Sequence, residues 1–252
     1  MRILVVADLH ANPAAVAAIA EPYDACLCLG DLVEYGPDPR AVLDWARGNV
    51  TACVRGNHDH GTAQNVDVQG VSGFRYLTMA TRPFTRTKLT ECDRRFLAEL
   101  PTVRHVTVGG FKFLLVHASP RDPLDEYMPP DPEVWASRLK GVTADFVCVG
   151  HTHQQYTLRI GDTTILNPGS LGLPRDGDPR ARYAIIEDGA VKLRQVAYDI
   201  EATVRAVQGT DLPTQAKSML ADVYREGRYV HPNGLPLPAG NGFPMRPVAK
   251  SA

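Results

Sequence analysis

Short apolar runs recur along the chain and are separated by stretches in which the apolar residues have helical spacing. The runs are rich in β-branched residues and end abruptly in polar or turn-forming residues, a pattern that predicts β-strands. The predicted strands are 3–7, 25–29, 51–54, 113–116, 146–149, 163–166, 183–186 and 191–198. Asp188 and Gly189 form a turn between the last two, so we expect those strands to pair antiparallel. Strands that alternate with helices favour an α/β fold.

Capping residues mark the starts of the predicted helices. Asn12 and Asp38 are each followed by proline, an order typical of an N-cap and a first helical turn. Thr90 and Asp93 have the spacing of a capping box before a third helix. Residues 60–90 are polar and less periodic, and we expect helix and loop there.

Polar residues with metal-binding side chains follow five of the predicted strands. The segments are Asp8-x-His10, Gly30-Asp31, Gly56-Asn57-His58-Asp59, His117 and Gly150-His151-x-His153. If these strands lie side by side, the five loops converge at one edge of the fold. Carboxylate, imidazole and amide oxygen together suit divalent transition metals, and the absence of cysteine disfavours a structural zinc site. Three segments carry a glycine just before the candidate ligand, which lets the backbone turn sharply.

The order of these segments resembles the calcineurin-like metallophosphoesterase superfamily. Its pattern runs D-x-H, G-D, G-N-H-D, H and G-H-x-H, and the likeness covers about residues 1–170. The segments around Asp31, His117 and Asn167 are similar to those of small prokaryotic phosphodiesterases related to diadenosine tetraphosphatases. The resemblance implies an α/β fold in the form of a four-layer α/β/β/α sandwich, with two mixed sheets flanked by helices.

The resemblance also implies two divalent transition metal ions and a role for each motif residue. The implied ligands are Asp8, His10 and His153 at one ion, Asn57, His117 and His151 at the other, and Asp31 as the bridge. His58 would donate a proton to the leaving group, and Asp59 would orient the His58 ring. The metals compatible with this set are Mn, Fe, Zn, Ni and Co, and Mn is favoured.

The implied function is hydrolysis of a phosphoester by a metal-activated water, with a small phosphodiester or nucleotide-type substrate favoured. One alternative is a phosphomonoesterase, such as a serine/threonine phosphoprotein phosphatase. Another is a non-catalytic scaffold on the same fold, which the complete ligand set disfavours. Arg121, Arg175 and Arg180 are candidate phosphate contacts because guanidinium matches phosphate geometry, but no role is assigned to them.

The domain organisation follows from the same patterns. We expect a metallophosphoesterase domain over residues 1–200, a helical extension over 201–230 and a flexible Pro/Gly-rich tail over 231–252.

Composition limits the partners and the compartment. Among 252 residues, 27 Lys and Arg balance 28 Asp and Glu, so the chain lacks the basic excess typical of a nucleic-acid binder. No apolar run approaches the ~20 residues that a bilayer span needs, and the first apolar run is too short for a secretory signal. None of the five cysteines forms a C-x-x-C pair. Four of them, Cys26, Cys28, Cys53 and Cys148, lie in apolar runs, which indicates buried thiols in a reducing cytoplasm. The oligomeric state is left open.

Overall fold

The structure, a computed structural model, describes residues 1–229, so the tail predicted for residues 231–252 lies outside the described residues. The described part contains ten strands and eight helices. The strands are β1 (Arg2–Val6), β2 (Ala25–Cys28), β3 (Ala52–Cys53), β4 (Val103–Val108), β5 (Phe111–Val116), β6 (Phe146–Cys148), β7 (Gln155–Ile160), β8 (Thr163–Pro168), β9 (Ala181–Glu187) and β10 (Ala190–Val196). The helices are α1 (Pro13–Ala17), α2 (Pro39–Asn49), α3 (Asn57–Gln64), α4 (Gly73–Lys88), α5 (Glu91–Glu99), α6 (Pro132–Arg138), α7 (Ile200–Gln208) and α8 (Thr214–Glu226).

Two mixed five-stranded sheets form the centre of the fold. In the first, of order β10-β9-β1-β2-β3, β1 to β3 are parallel and β9 is antiparallel to both of its neighbours. In the second, of order β4-β5-β6-β8-β7, β5, β6 and β8 are parallel and the edge strands β4 and β7 are antiparallel to their neighbours. The β9–β10 hairpin confirms the predicted antiparallel pair, and Asp188 and Gly189 close it with φ values of 50° and 81°.

The alternation of side chains along β1 explains the layers. Ile3 and Val5 point into the space between the sheets, where they join Phe113 of the second sheet in one buried cluster. Leu4 and Val6 point the other way, into a cluster under α1 and α2. A strand buried on both faces must be apolar throughout, as the RILVV sequence of β1 nearly is. The structure confirms the four-layer α/β/β/α sandwich.

A smaller cluster covers the outer face of the second sheet. Trp135 of α6 is fully buried there against Leu114, Val147 and Ile165. Its indole nitrogen donates a hydrogen bond of 3.1 Å to Pro129 O, so the buried polar atom of this side chain is satisfied.

The helical extension predicted over 201–230 contains two helices, α7 and α8. The chain leaves α7 at Gly209 and re-enters a helix after Pro213, which cannot continue the hydrogen bonding of α7. Both helices pack with α4 in a cluster that includes Leu77, Val207 and Leu220. The division at residue 200 into a domain and an extension is kept as a proposal.

Candidate metal centre

The candidate site lies where the carboxyl ends of five strands meet. Asp8, Asp31 and Asn57 follow β1, β2 and β3 of the first sheet, whereas His117 and His151 follow β5 and β6 of the second. A hydrogen bond of 3.3 Å from His151 N to Asp8 Oδ1 joins the two sheets at this edge. The fold therefore brings residues from five distant segments to one place, as the order of the motifs predicted.

The backbone around the site is conformationally costly. Five candidate ligands have left-handed φ values, namely Asp8 (55°), His10 (45°), Asp31 (55°), His151 (64°) and His153 (58°). Residues with a Cβ atom rarely adopt this conformation, and it tends to persist where a functional site requires it. These strained turns point the side chains of the candidate ligands at the site. At the end of a regular strand, the same side chains would point elsewhere.

The glycines before the candidate ligands have different roles. Gly30 has a φ of 89° and needs its conformational freedom, as predicted. Gly56 is extended with a φ of −86°, and a Cβ atom there would lie 2.0 Å from Asp31 Oδ1. At Gly150 a Cβ atom would lie 2.8 Å from the Ala7 Cβ atom. Neither Gly56 nor Gly150 has a positive φ, and at both positions close packing is what requires glycine.

Three buried histidines are held in one orientation by backbone carbonyl groups. Each Nδ1 lies at hydrogen-bond distance from a carbonyl oxygen: His10 from Val33 O at 3.1 Å, His117 from Leu29 O at 2.7 Å, and His153 from Leu173 O at 2.5 Å. A carbonyl oxygen only accepts, so each Nδ1 carries the proton and Nε2 faces the site. This arrangement is the usual way in which a protein orients imidazole toward a metal ion.

Asp8, His10 and His153 form the first cluster of candidate ligands, in which two lone pairs face each other. The Nε2 atoms of His10 and His153 are 3.2 Å apart. Burial keeps the pKa of both rings well below its usual value, so both are neutral and two acceptors converge. Asp8 Oδ1 is 3.5 Å from His153 Nε2, and the buried Oδ2 of Asp8 has no hydrogen-bond partner among residues 1–229. A bound cation would satisfy all of these groups at once.

Burial lowers the pKa of the two histidines of this cluster, but it raises the pKa of the Asp8 carboxyl group. Burial, with a further contribution from the negative charge of Asp31, raises the pKa of Asp8 to about 7. A buried carboxylate needs compensating positive charge to stay ionised near neutral pH.

Asn57, His117 and His151 form the second cluster, which is centred on the amide oxygen of Asn57. Asn57 Oδ1 is 3.1 Å from His117 Nε2 and 3.2 Å from His151 Nδ1. Burial, with a further contribution from His117, lowers the pKa of His151 to about 3. Burial also lowers the pKa of His117, but the Asp31 carboxylate outweighs it and raises this pKa to about 10.

Asp31 lies between the two clusters. Its Oδ2 atom is 3.2 Å from His117 Nε2 and 3.9 Å from His10 Nε2. In two groups of residues the possible ligand atoms lie within 4.8 Å of one another. One group is Asp8, His10 and His153, and the other is Asp8, Asp31 and His117. Carboxylate and amide oxygens with imidazole nitrogens fit divalent metal ions. The donor set is therefore that of a candidate metal centre.

His58 projects from the start of α3 beside this centre. Its Nδ1 atom donates a hydrogen bond of 2.6 Å to Glu34 Oε2, and its Nε2 atom is 3.9 Å from Asp31 Oδ2 and 3.4 Å from the Tyr35 hydroxyl. Burial lowers the pKa of His58, but the charges of Asp31 and Glu34 outweigh it and raise this pKa above its usual value. The ring is thus held outside both clusters, with one nitrogen facing them.

Glu34 anchors His58 from a fully buried position. Its carboxylate also accepts hydrogen bonds from Thr62 Oγ1 at 2.8 Å and from Arg82 Nε at 2.5 Å. Sequence analysis did not single out Glu34 as a functional residue. The available signal was an acidic residue three positions after Asp31, within a segment already compared with the family.

The comparisons with known proteins agree with this geometry. A family model described as the calcineurin-like phosphoesterase superfamily domain matches residues 1–188. The chain belongs to this superfamily.

Individual relatives extend the match over most of the chain. An uncharacterized protein of Methanocaldococcus jannaschii is 27% identical over 234 residues, which cover 84% of this chain and 93% of the relative. The crystal structure of a metallophosphoesterase from Sphaerobacter thermophilus has a TM-score of 0.72 and 30% identity, covering 88% of this chain and 99% of that one. A hypothetical protein from Pyrococcus horikoshii OT3 has a TM-score of 0.75 at 22% identity, covering 87% and 97%, which supports the fold.

Within the superfamily domain, Asp59 does not have the predicted contact with the His58 ring. Its carboxylate accepts hydrogen bonds from the backbone N–H groups of Asp31 and Leu32, both at 2.8 Å, and of Gly56 at 3.0 Å. Asp59 is the third residue of α3, so its side chain folds back over the helix start. The prediction is corrected: Asp59 holds the loop that carries Asp31, and Glu34 is the partner of His58.

The three candidate arginines differ in their surroundings. Arg121 forms an ion pair with Glu126, and Arg180 forms one with Asp178 at 2.5 Å, so both are engaged by carboxylates of the protein. Arg175 lies with its guanidinium carbon 5.5 Å from the centroid of the Tyr35 ring. Of the three arginines, Arg175 alone reaches the surroundings of the site.

The structure adds two observations on partners and compartment. Within residues 1–229, every helix is too short or too polar to cross a membrane. All five cysteines are free, and four of them are buried.

Proposed function

We propose that this protein is a dinuclear metal-dependent phosphoesterase. The proposal rests on two clusters of candidate ligands that share Asp31. The Nε2 atoms of His10 and His153 face each other in the first cluster. Asp31 Oδ2 lies near His10 Nε2 of the first cluster and His117 Nε2 of the second. One ion would be held by Asp8, His10 and His153. The other would be held by Asn57, His117 and His151, and Asp31 would contact both. Mn²⁺ is the favoured metal.

Divalent ions in such a centre supply Lewis acidity for the phosphoryl group and lower the pKa of water. The protein's own groups do the rest. Asp31 would place a negative charge between two bound ions and reduce their repulsion. Its other oxygen, Oδ1, accepts a hydrogen bond of 2.9 Å from the backbone N–H of His58, which fixes the start of α3 against the centre.

We assign His58 as the proton donor to the leaving oxygen. The Nδ1–H of His58 donates a hydrogen bond to Glu34, so the proton available for transfer is on Nε2, which faces Asp31 and the Tyr35 hydroxyl. The buried carboxylates of Asp31 and Glu34 stabilise the imidazolium form that a general acid needs. Asp59 and Glu34 are positioning residues in this scheme.

The proposed substrate is a small phosphodiester or a nucleotide-type ester, and the proposed location is the cytoplasm. An exposed aromatic ring supports an organic ester group: Tyr127 is 39% exposed and its centroid lies 5.9 Å from that of His151. Such a ring offers a stacking surface for a nucleobase or an aryl group.

An activity panel on metal-reconstituted protein tests the proposal. It should include a bis-aryl phosphodiester, an aryl monoester, cyclic nucleotides and diadenosine polyphosphates. We expect turnover of diesters or nucleotides above that of the monoester. The reverse order would favour a phosphomonoesterase, and no turnover with both metal positions filled would favour the scaffold.

His58→Ala tests the role of the proton donor. The variant should keep its metals and lose about 10²–10⁴-fold in kcat on esters with a poor leaving group, because removing a general acid costs about that much. The loss should be smaller with a nitrophenolate leaving group, which barely needs the proton. His105→Ala, on the exposed face of β4, is the matched control and should behave like the wild type. Loss of metal from His58→Ala would mean that His58 is a ligand.

A further inference from the structure

Arg175 is held beside the metal centre by aromatic rings. Its guanidinium carbon lies 3.8 Å from the centroid of Phe74 in α4 and 5.5 Å from that of Tyr35. The Tyr35 ring in turn packs edge-on against His10, with centroids 4.8 Å apart. A guanidinium stacked in this way is fixed in orientation while its N–H edges stay free to bind.

Two of the three guanidinium nitrogens of Arg175 are not used by the described part of the protein. Its Nε and Nη2 atoms are buried and have no hydrogen-bond partner among residues 1–229. Arg82, a comparable arginine, donates to Glu34 and to Val66 O. Buried polar groups are nearly always paired, because an unpaired donor keeps its full desolvation cost. The free donors of Arg175 therefore indicate an anionic partner that residues 1–229 do not supply.

The two free atoms form a fork. Nε and Nη2 project their N–H bonds in parallel from one edge of the planar guanidinium group. That edge binds two oxygens of a phosphate or carboxylate at once, which gives both strength and orientation. A lysine at the same place would carry the charge but could not reproduce the fork.

Tyr35 links Arg175 to the site. The Tyr35 ring packs edge-on against His10, and its hydroxyl is 3.4 Å from His58 Nε2. The guanidinium is therefore one aromatic ring away from a candidate ligand and from the proposed proton donor.

We propose that Arg175 is a substrate-binding residue whose Nε–Nη2 edge holds the phosphate oxygens of the substrate. This inference rests on the proposed function of the metal centre. The oxygens belong either to the phosphoryl group that is hydrolysed or to a second phosphate of the same substrate, and the two cases share one chemistry.

The test measures inorganic phosphate binding by titration calorimetry on metal-loaded protein, together with KM and kcat. Arg175→Met removes the charge and keeps the apolar stem against Phe74, and Arg175→Lys keeps the charge without the fork. Both variants should bind phosphate about 10–100-fold more weakly than the wild type, since a charge-assisted pair of hydrogen bonds is lost. Arg180→Met, five residues further along and paired with Asp178, is the matched control and should leave phosphate binding unchanged.

Two substrates distinguish the source of the oxygens. If Arg175 holds the hydrolysed phosphoryl group, KM should rise on an aryl ester and on a diadenosine polyphosphate alike. If it holds a second phosphate, the rise should be confined to the polyphosphate and inorganic phosphate should bind at that second position.

A structural role makes a different prediction. If Arg175 only supports the fold, Arg175→Met should melt at a lower temperature and bind phosphate normally. Unchanged phosphate affinity and KM in both variants would overturn the inference, as would a wild type that binds no phosphate. The binding measurement does not require turnover. A wild type that binds phosphate but hydrolyses no ester would contradict the proposed function, and the phosphate affinities of the variants would still show whether Arg175 binds phosphate.

Discussion

Glu34→Gln tests whether a buried carboxylate supports the proposed proton donor. The two oxygens of Glu34 accept hydrogen bonds from His58, Thr62 and Arg82. Glutamine keeps the shape of the side chain, but it removes the charge and replaces one accepting oxygen with a donating NH2 group. In either orientation of the amide, at least one of the three donors loses its acceptor.

This substitution should have two separate effects, one on the free energy of unfolding and one on kcat. Arg82 would be left as a buried guanidinium without its carboxylate, and breaking a buried ion pair from one side costs about 3–5 kcal/mol of unfolding free energy. The effect on kcat should be about 10–100-fold, as is typical when an outer hydrogen-bond partner of a site residue is removed. That loss is smaller than the one expected for His58→Ala, because the imidazole itself remains.

A double-mutant cycle on kcat provides the assay. If Glu34 acts through His58, the double variant should lose no more than His58→Ala alone, since residues that work as a unit are not additive. Glu21→Gln is the matched control: Glu21 accepts hydrogen bonds from Arg2, Tyr183 and Arg194, remote from the metal centre. It should affect stability without changing kcat. Full kcat in Glu34→Gln, or a double variant whose loss is the product of the single losses, would refute the reasoning.

Two further predictions concern stability. Burial raises the pKa of Asp93, but hydrogen bonds from Thr90 and Arg47 outweigh it and lower the pKa from 3.8 to about 2. Its carboxylate therefore contributes about 2 kcal/mol above pH 4, and this contribution is lost as the pH falls from about 4 to 2. Urea unfolding should show Asp93→Asn to be less stable by up to that amount at pH 7, with the gap closing below pH 4, and a gap that persists would contradict the assignment. Removing residues 231–252 should leave kcat and the melting temperature nearly unchanged, because that segment is dominated by Pro, Gly and Asn; a large fall in either would show that it packs on the domain.

The central strands and the candidate ligands could be predicted because their signals are local. A strand such as β1, buried on both faces, is a continuous apolar run, and a polar residue at its end stands out. The edge strands β4 and β7 were missed because most of their residues are exposed or half-buried, which leaves no continuous apolar run. The α6 helix was missed because it is short, and Trp135 is its only fully buried apolar anchor.

The partners of the site residues could not be predicted from sequence, because they depend on folding. Asp59 is adjacent to His58 in the chain, yet the capping geometry of α3 turns its side chain away from the His58 ring. Glu34 is 24 residues from His58 and meets it because the segments that follow the neighbouring strands β2 and β3 lie side by side. Arg175 is far more distant from Phe74 along the chain, and its proposed role depends on a stacking contact that no local pattern encodes.

The metal content of three proteins after dialysis tests the central claim most directly. Elemental analysis of the reconstituted wild type should find about two divalent ions per chain. His10→Ala should retain about one ion, because His10 belongs to one cluster only. Asp31→Asn should retain almost none, because the shared carboxylate is lost from both clusters. Two ions retained by Asp31→Asn, or a wild type that binds one ion or none, would contradict a dinuclear centre bridged by Asp31.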